Sequence, residues 1–430
     1  MNESFLQYIW QSQYFDKRDL KTTEGEKVEV FRQGILNTDS GPDFSNGKIK
    51  IDSIEWAGNI EIHIKSSEWA QHHHTEDAAY DNVILHVVWQ DDKPVTRKDG
   101  SRIPTIEIGT RVDQRLINQY RKLIDSSFVV PCGKLLADVN ELTRLSMLDK
   151  VLVERLEFKS QFIRILLKRN NNDWEETCYQ VLAKNFGFKV NSEPFLQLAQ
   201  NLSYRILLKH SDQLLQVQAL LFGVAGFLEG GIKDDKYFYS LQKEFKILSA
   251  KYRLEEKKLN PSQWRFLRLR PANFPTVRIA QFSSVITLSK NIFSKIIEAR
   301  SYADLNDFFQ DSQSDYWQNH YRFGIKSKSK VNGFGQASSD NIIINSIAPL
   351  LVAYGLEKDE QDYIERAQSI LQQVPAEANK ITRTWDSLNW NVKTAFDSQG
   401  LIELYNNYCQ CKNCLNCTIG AYFLRPTAST

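Results

Sequence analysis

The chain has 430 residues, 42% hydrophobic and 25% charged, which excludes a largely disordered protein and leaves room for two or three domains with cores of their own. A formal net charge of +2 excludes a molecule-wide basic field, so any contact with nucleic acid has to come from a local patch. Residues 1–15 carry Glu3 and no basic stretch ahead of an apolar run, unlike a secretory signal, and no run approaches the 18 apolar residues of a membrane span, so a cytoplasmic protein with no membrane partner is expected.

In chain order, residues 1–110 read as an α/β domain. The apolar-rich stretch 5–15 predicts a short helix, and 28–31, 47–51, 54–56, 60–65, 82–89 and 103–108 predict strands. Asn46-Gly47 and Ala57-Gly58-Asn59 are turn signals between consecutive strands, which predicts an antiparallel meander. Residues 69–80 predict a helix or helical loop, and Val83 to Val88, apolar on both faces, predict a central strand. The order is helix, three strands, helix, strand. From about Arg111 the period becomes helical, with Leu145, Leu148, Leu152 and Leu156, then Trp174, Cys178, Val181, Leu182 and Phe186, at helical spacing. A strong helix over 213–228 precedes the breaks Asn260-Pro261 and 270–275, which divide a helical domain at 111–260 from a helical region at 261–430. Further helices are predicted around 279–288, 289–299, 342–354 and 359–373, and a polar loop over 327–340 that includes Asn332 and Gly333. The expected class is an α/β N-terminal domain, then a mainly α-helical region with a Cys-rich tail.

Chemistry concentrates in the first domain. Glu61, His63 and Lys65 alternate with Ile60, Ile62 and Ile64, so three ionisable side chains share one strand face. Upstream, the turn Gly41-Pro42-Asp43-Phe44 delivers an acid at the start of an apolar run. Two carboxylates and a lysine suit phosphodiester hydrolysis, because Mg²⁺ prefers oxygen ligands, neutralises the scissile group and lowers the pKa of its water, while a lysine stabilises developing charge. Asp43 and Glu61 are the candidate ligands for Mg²⁺ or Mn²⁺, in a solvent-facing site, with Lys65 the electrostatic partner. The same alternation also fits an exposed strand face without chemistry.

Five of the seven histidines lie between His63 and His86. Beside Trp69 and Asp77, the rings of His72, His73 and His74 fit a transition-metal site, acid–base groups near neutral pH or solvated surface. His72 and His74 are the candidates for catalysis, and His86, on the central strand, reads as a hydrogen-bonded core residue. In the tail, Cys409, Cys411, Cys414 and Cys417 have the spacing to close around one Zn²⁺ or to hold an iron–sulfur cluster. The single-residue gap between Cys409 and Cys411 is tight, and Cys132 is the alternative fourth ligand; uncoordinated thiols are the other reading. Cys178, on an apolar helical stripe, is assigned to packing. Arg268, Arg270 and Arg278, interleaved with Trp264, Phe266 and Phe274, are candidate nucleic-acid contacts, or the water-facing side of an amphipathic connector.

Gly41-Pro42-Asp43-Phe44 followed by Glu61-Ile62-His63-Ile64-Lys65, in the order helix, three strands, helix, strand, resembles the PD-(D/E)XK nuclease superfamily. The resemblance implies an αβββαβ restriction-endonuclease-like mixed sheet in which Pro-Asp supplies one metal ligand and an acid-x-lysine supplies the second ligand and the lysine. Here His63 stands where that lysine is usual, and Lys65 lies about 6.6 Å further along at roughly 3.3 Å per residue. Some nucleases of that superfamily carry an iron–sulfur cluster joining distant segments, which the resemblance makes an option for the tail. Nearly the whole chain also resembles an uncharacterised bacterial family, domain of unknown function 2851, through Trp56 to Trp69, then His72, His74, Asp77 and Tyr80, and the tail from Cys414 to Gly420. The expected function is metal-dependent cleavage of DNA or RNA; the alternative is a catalytically inactive nucleic-acid-binding or scaffold protein that keeps the fold.

Overall fold

The computed structural model describes residues 1–309, 314–331 and 333–425. The chain groups into two compact units, residues 1–147 with the stretch from Tyr405 onward, and Leu148–Leu404. Three domains divided at 110 and 260 are therefore not what is found, for two local reasons. The first helix after residue 110 packs back on the N-terminus: Phe5 stacks on Tyr120 with ring centroids 3.9 Å apart, and the Tyr120 hydroxyl donates to Asn2 Oδ1. Around 260 the prolines turn the chain within one core, where Leu259 N–H donates to the Val224 carbonyl and Trp264 Nε1 to the Ala225 carbonyl.

The first unit begins with helix α1 (Glu3–Ser12), capped by Asn2, whose side chain accepts from Phe5 N–H, and closed by Gln13 in the left-handed conformation. Phe5, Leu6, Ile9 and Trp10 form its buried stripe. A six-stranded mixed sheet follows, made of β1 (Val28–Arg32), β2 (Ile35–Leu36), β3 (Phe44–Ile51), β4 (Ile54–Lys65), β5 (Val83–Gln90) and β6 (Thr105–Glu107). The strand order is β1-β3-β4-β5-β6, with β2 also on β3. Pairing is antiparallel from β1 through β3 to β4, then parallel from β4 to β5 and from β5 to β6. Between β4 and β5 lies helix α2 (Glu68–Gln71) with two single turns, His74–Glu76 and Ala78–Tyr80, so of the two readings of 69–80 the helical loop is the one found. Helix α3 (Gln114–Ile124) follows the sheet.

Both predicted turns inside the meander fall within strands. Asn46, at φ +58°, sits where the β3–β4 register shifts between Phe44 and Gly47, so Asn46-Gly47 makes a bulge. Gly58 lies inside β4 because a Cβ there would meet Asn82 O and Ile84 Cγ2, each at 2.6 Å. The chain instead reverses at Asp52, φ +49°, between Ile51 and Ile54. β5 is buried from Val83 to Val88, as its two-sided apolar pattern predicts.

Residues Leu148–Leu404 form a helical unit, entered along α4 (Glu141–Arg169). Its core draws on helices Trp174–Phe186, Leu214–Val224 and Pro275–Leu288, with Tyr179, Phe222, Phe282 and Cys178 fully enclosed. Of the predicted polar loop, Asn332 lies outside the described residues, and helix resumes at Gln336. The absence of a span-length apolar segment needs correcting: the helical stretch Gln336–Lys358 is long and apolar enough by length and composition, but 72% of its apolar window is buried, as in a core helix.

Candidate active site

β4 is the spine of the site. Glu61 and His63 project from the same face, and the parallel register sets His86 of β5 opposite Glu61. At the start of β3, Asp43 N–H donates to Glu61 Oε2 at 3.0 Å, and Ile62 N–H donates to Asp43 Oδ2 at 3.0 Å. Each carboxylate is thus held by the other's strand. Gln7 of α1 donates to Asp43 Oδ1 at 2.8 Å and also reaches Glu3. The two carboxylates expected to converge do so.

Their surroundings differ from the solvent-facing site expected: Glu61 is 5% exposed and Asp43 half-buried. Burial, then the neighbouring charges of Glu61 and Glu3, pushes the Asp43 carboxyl well above the usual range. Burial does the same to Glu61, with Glu3 adding to it against the hydrogen bond from Asp43 N–H. Two enclosed acids that repel one another create a place where positive charge is favourable.

The imidazoles close the site. His63 Nδ1 lies 2.9 Å from His86 Nε2, and His63 Nε2 lies 3.1 Å from His72 Nδ1. His74 Nε2 is 3.4 Å from Glu61 Oε1, yet is buried without a hydrogen-bond partner, as is His86 Nδ1. His73, exposed and at φ +58°, turns the chain so that His72 and His74 both face His63, with ring centroids at 5.0 and 5.3 Å. Tyr80 stacks on His74 at 3.8 Å, and Trp69 meets it edge-on. Burial pushes the His63, His74 and His86 rings down, so they are neutral near pH 7.

Lys65 does not join this group. It is exposed at the end of β4, and the carboxylate its charge acts on is Asp92. His63 occupies the place beside the acids. Sequence reasoning also missed Glu3 and Gln7, and met Tyr80 only among the residues of a family resemblance, without a role. For the first two a signal exists, since they are four residues apart and flank the apolar stripe of α1.

The arginine expectation divides. Arg268 and Arg270 are exposed, but Arg278 is 6% exposed, lies over the rings of Phe188 and Phe334, and donates to Gln281, Asn273 and Ser338. It is a packing residue of the helical unit, not a substrate contact. Arg278→Ala is expected to cost about 2–4 kcal/mol in denaturant unfolding, because it leaves a void and three polar groups short of a donor. Arg268→Ala should stay within about 0.5 kcal/mol of the parent chain. Equal stability of the two variants would return Arg278 to the surface.

Within the first unit a second cluster forms. Cys132, at the start of the turn Gly133–Asp138, is buried together with Cys409, Cys414 and Cys417. Burial raises the Cys132, Cys409 and Cys414 thiols, and every pair among the four is near enough for charge on one to raise another. Cys411 is exposed and its thiol donates to the Asn406 carbonyl, which sets it apart from the buried four. Gly420 permits this packing, since a Cβ there would lie 2.1 Å from Cys414 O.

The first unit is therefore a mixed-sheet α/β domain with paired acids and neighbouring imidazoles around β4, and four buried cysteines elsewhere. The chain belongs to the family described as protein of unknown function DUF2851, which matches it over residues 3–380. That match includes Cys132 and ends before the tail cysteines. No curated protein and no solved structure matches it.

Proposed function

We propose that the protein is a metal-dependent phosphodiesterase acting on DNA or RNA, built on the restriction-endonuclease-like αβββαβ plan of the PD-(D/E)XK superfamily. One observation carries this reading: Asp43 and Glu61, from adjacent strands, are clamped to each other by backbone N–H groups in an enclosed setting that raises both. Such a pair fits Mg²⁺ or Mn²⁺, which supplies charge neutralisation for a phosphate and a more acidic water. Asp43 and Glu61 would hold it, with Gln7 fixing the free oxygen of Asp43. His74 Nε2, unpartnered beside Glu61, is placed to take a proton from the attacking water. Exposed Arg268 and Arg270 are the remaining candidates for contact with the nucleic-acid backbone.

The test is cleavage of single- and double-stranded DNA and RNA by the full chain with Mg²⁺ or Mn²⁺. Metal-dependent cleavage is expected to fall roughly a hundredfold or more in Asp43→Asn and to stay within about twofold in Lys65→Ala, which lies outside the cluster. The exposed position of Lys65 favours a second reading, a catalytically inactive nucleic-acid-binding or scaffold protein. Folded chain that binds these ions and cleaves none of the four substrates would establish it. At the tail we assign Cys132, Cys409, Cys414 and Cys417 to one zinc ion or iron–sulfur cluster, which four buried thiols suit. Cysteines in that number outside any disulfide favour a reducing, cytoplasmic location.

A further inference from the structure

The imidazoles beside the carboxylate pair form a donor set that Mg²⁺ does not need. One nitrogen each from His63, His72 and His74 lie within 4.8 Å of one another. Glu61 Oε1 is 3.4 Å from His74 Nε2 and 3.6 Å from His63 Nε2, and His63 Nε2 is 3.1 Å from His72 Nδ1. Donors that share one ion at bonds of about 2.1 Å sit roughly 3.0–3.4 Å apart, so these spacings are close to those of a common coordination sphere.

The proton inventory agrees with the distances. With His63 Nδ1–H donating to His86 Nε2, His63 Nε2 is a lone pair turned toward His72 and Glu61. A ligating histidine commonly donates its other N–H to an acceptor that fixes the ring, and His86 fills that role from the neighbouring strand. His74 Nε2 is buried, unpartnered and aimed at Glu61, while Tyr80 stacked on its ring holds it there. His72, the exposed member, leaves one side open to water or substrate.

We propose that Glu61, His63, His72 and His74 form a transition-metal site with three nitrogen donors and one oxygen donor. Imidazole suits Zn²⁺, Fe²⁺, Ni²⁺ and Co²⁺, whereas Mg²⁺ prefers oxygen ligands and sheds water reluctantly, so the site selects the former. The inference shares two residues with the hydrolytic reading: Glu61, whose Oε2 turns toward Asp43 and whose Oε1 turns toward the histidines, and His74, whose Nε2 is a ligand while the transition metal is bound and a base only without it.

Co²⁺ is the probe, added to chelator-stripped full-length chain and followed by visible absorption. The expected result is weak ligand-field bands from one equivalent bound outside the cysteines, which persist in Cys132→Ser, where the thiol site is broken, and in about a hundredfold excess of Mg²⁺. His72→Ala, at an exposed position, and His74→Gln should each weaken binding roughly tenfold or more while circular dichroism stays unchanged. A spectrum showing only thiolate charge transfer, displacement by Mg²⁺, or undiminished affinity in His72→Ala would overturn the site. Because the readout is binding, the two readings separate. Co²⁺ held by the histidines without cleavage of any nucleic acid defeats the hydrolytic reading alone, and Mg²⁺-driven cleavage by a chain whose Co²⁺ affinity is undiminished in His72→Ala defeats this one alone.

Discussion

Glu61→Gln is expected to abolish metal-dependent cleavage and, in metal-free protein near pH 7.5, to raise the thermal midpoint. The amide keeps an oxygen to accept Asp43 N–H, and its NH₂ gains an acceptor in His74 Nε2, which has no partner in the parent chain. What is removed is an enclosed charge beside a second carboxylate. Glu61 titrates above its unfolded value of about 4.3, so over that interval the folded state holds a proton that the unfolded chain has lost, and metal-free stability falls as pH rises. His63 and His86 act in the opposite sense, since their depressed values make stability rise with pH, but only up to their unfolded value of about 6.5. Between about pH 6.5 and 8, below the ordinary thiol range near 8.5, the two carboxylates act together and outweigh Lys159, whose amine burial pushes down to about 7 and which alone would make stability rise with pH above that value. The metal-free parent should lose midpoint across that window and Glu61→Gln should lose less, with a difference of roughly 1–3 kcal/mol at the upper end. Saturating Mn²⁺ should flatten the parent profile. A parent midpoint that climbs over the same window, or a less stable Glu61→Gln, contradicts the carboxylate-pair account.

Cys132→Ser is expected to abolish metal binding at the thiol site assigned above, and Cys411→Ser to leave it intact. Both lie outside the histidine cluster, so elemental analysis of each variant reads the thiol site separately from any ion bound there. A brown protein indicates an iron–sulfur cluster and a colourless one with zinc a tetrahedral structural site. The stability effect should be large, because an ion held by Cys132 and Cys409 closes a very long loop, a constraint of roughly 5 kcal/mol on loop-entropy grounds. Cys132→Ser should therefore unfold several kcal/mol earlier and expose the segment after Tyr405 to protease, while Cys411→Ser resists as the parent does. Metal retained in Cys132→Ser and lost in Cys411→Ser would reverse the assignment. Metal-free parent protein prepared without chelator would end it.

Strand alternation alone places Glu61 and His63 on one face, since the pleat that orients side chains is a property of consecutive residues. The two-sided apolar run from Val83 to Val88 likewise marks β5 as interior before any partner is known. The turns are misread because glycine serves two ends: Gly58 is small so that Asn82 can approach, and its neighbours extend in β4. Enclosure of Asp43 and Glu61 depends on α1, on His74 in the turn that follows α2, and on a strand pairing that no local pattern reveals. The burial of Cys132 and the exposure of Cys411 are decided by folding for the same reason. Spacing counts residues along the chain, whereas neighbours are set by what meets in space, and Cys132 comes near the tail cysteines only once the first unit is assembled.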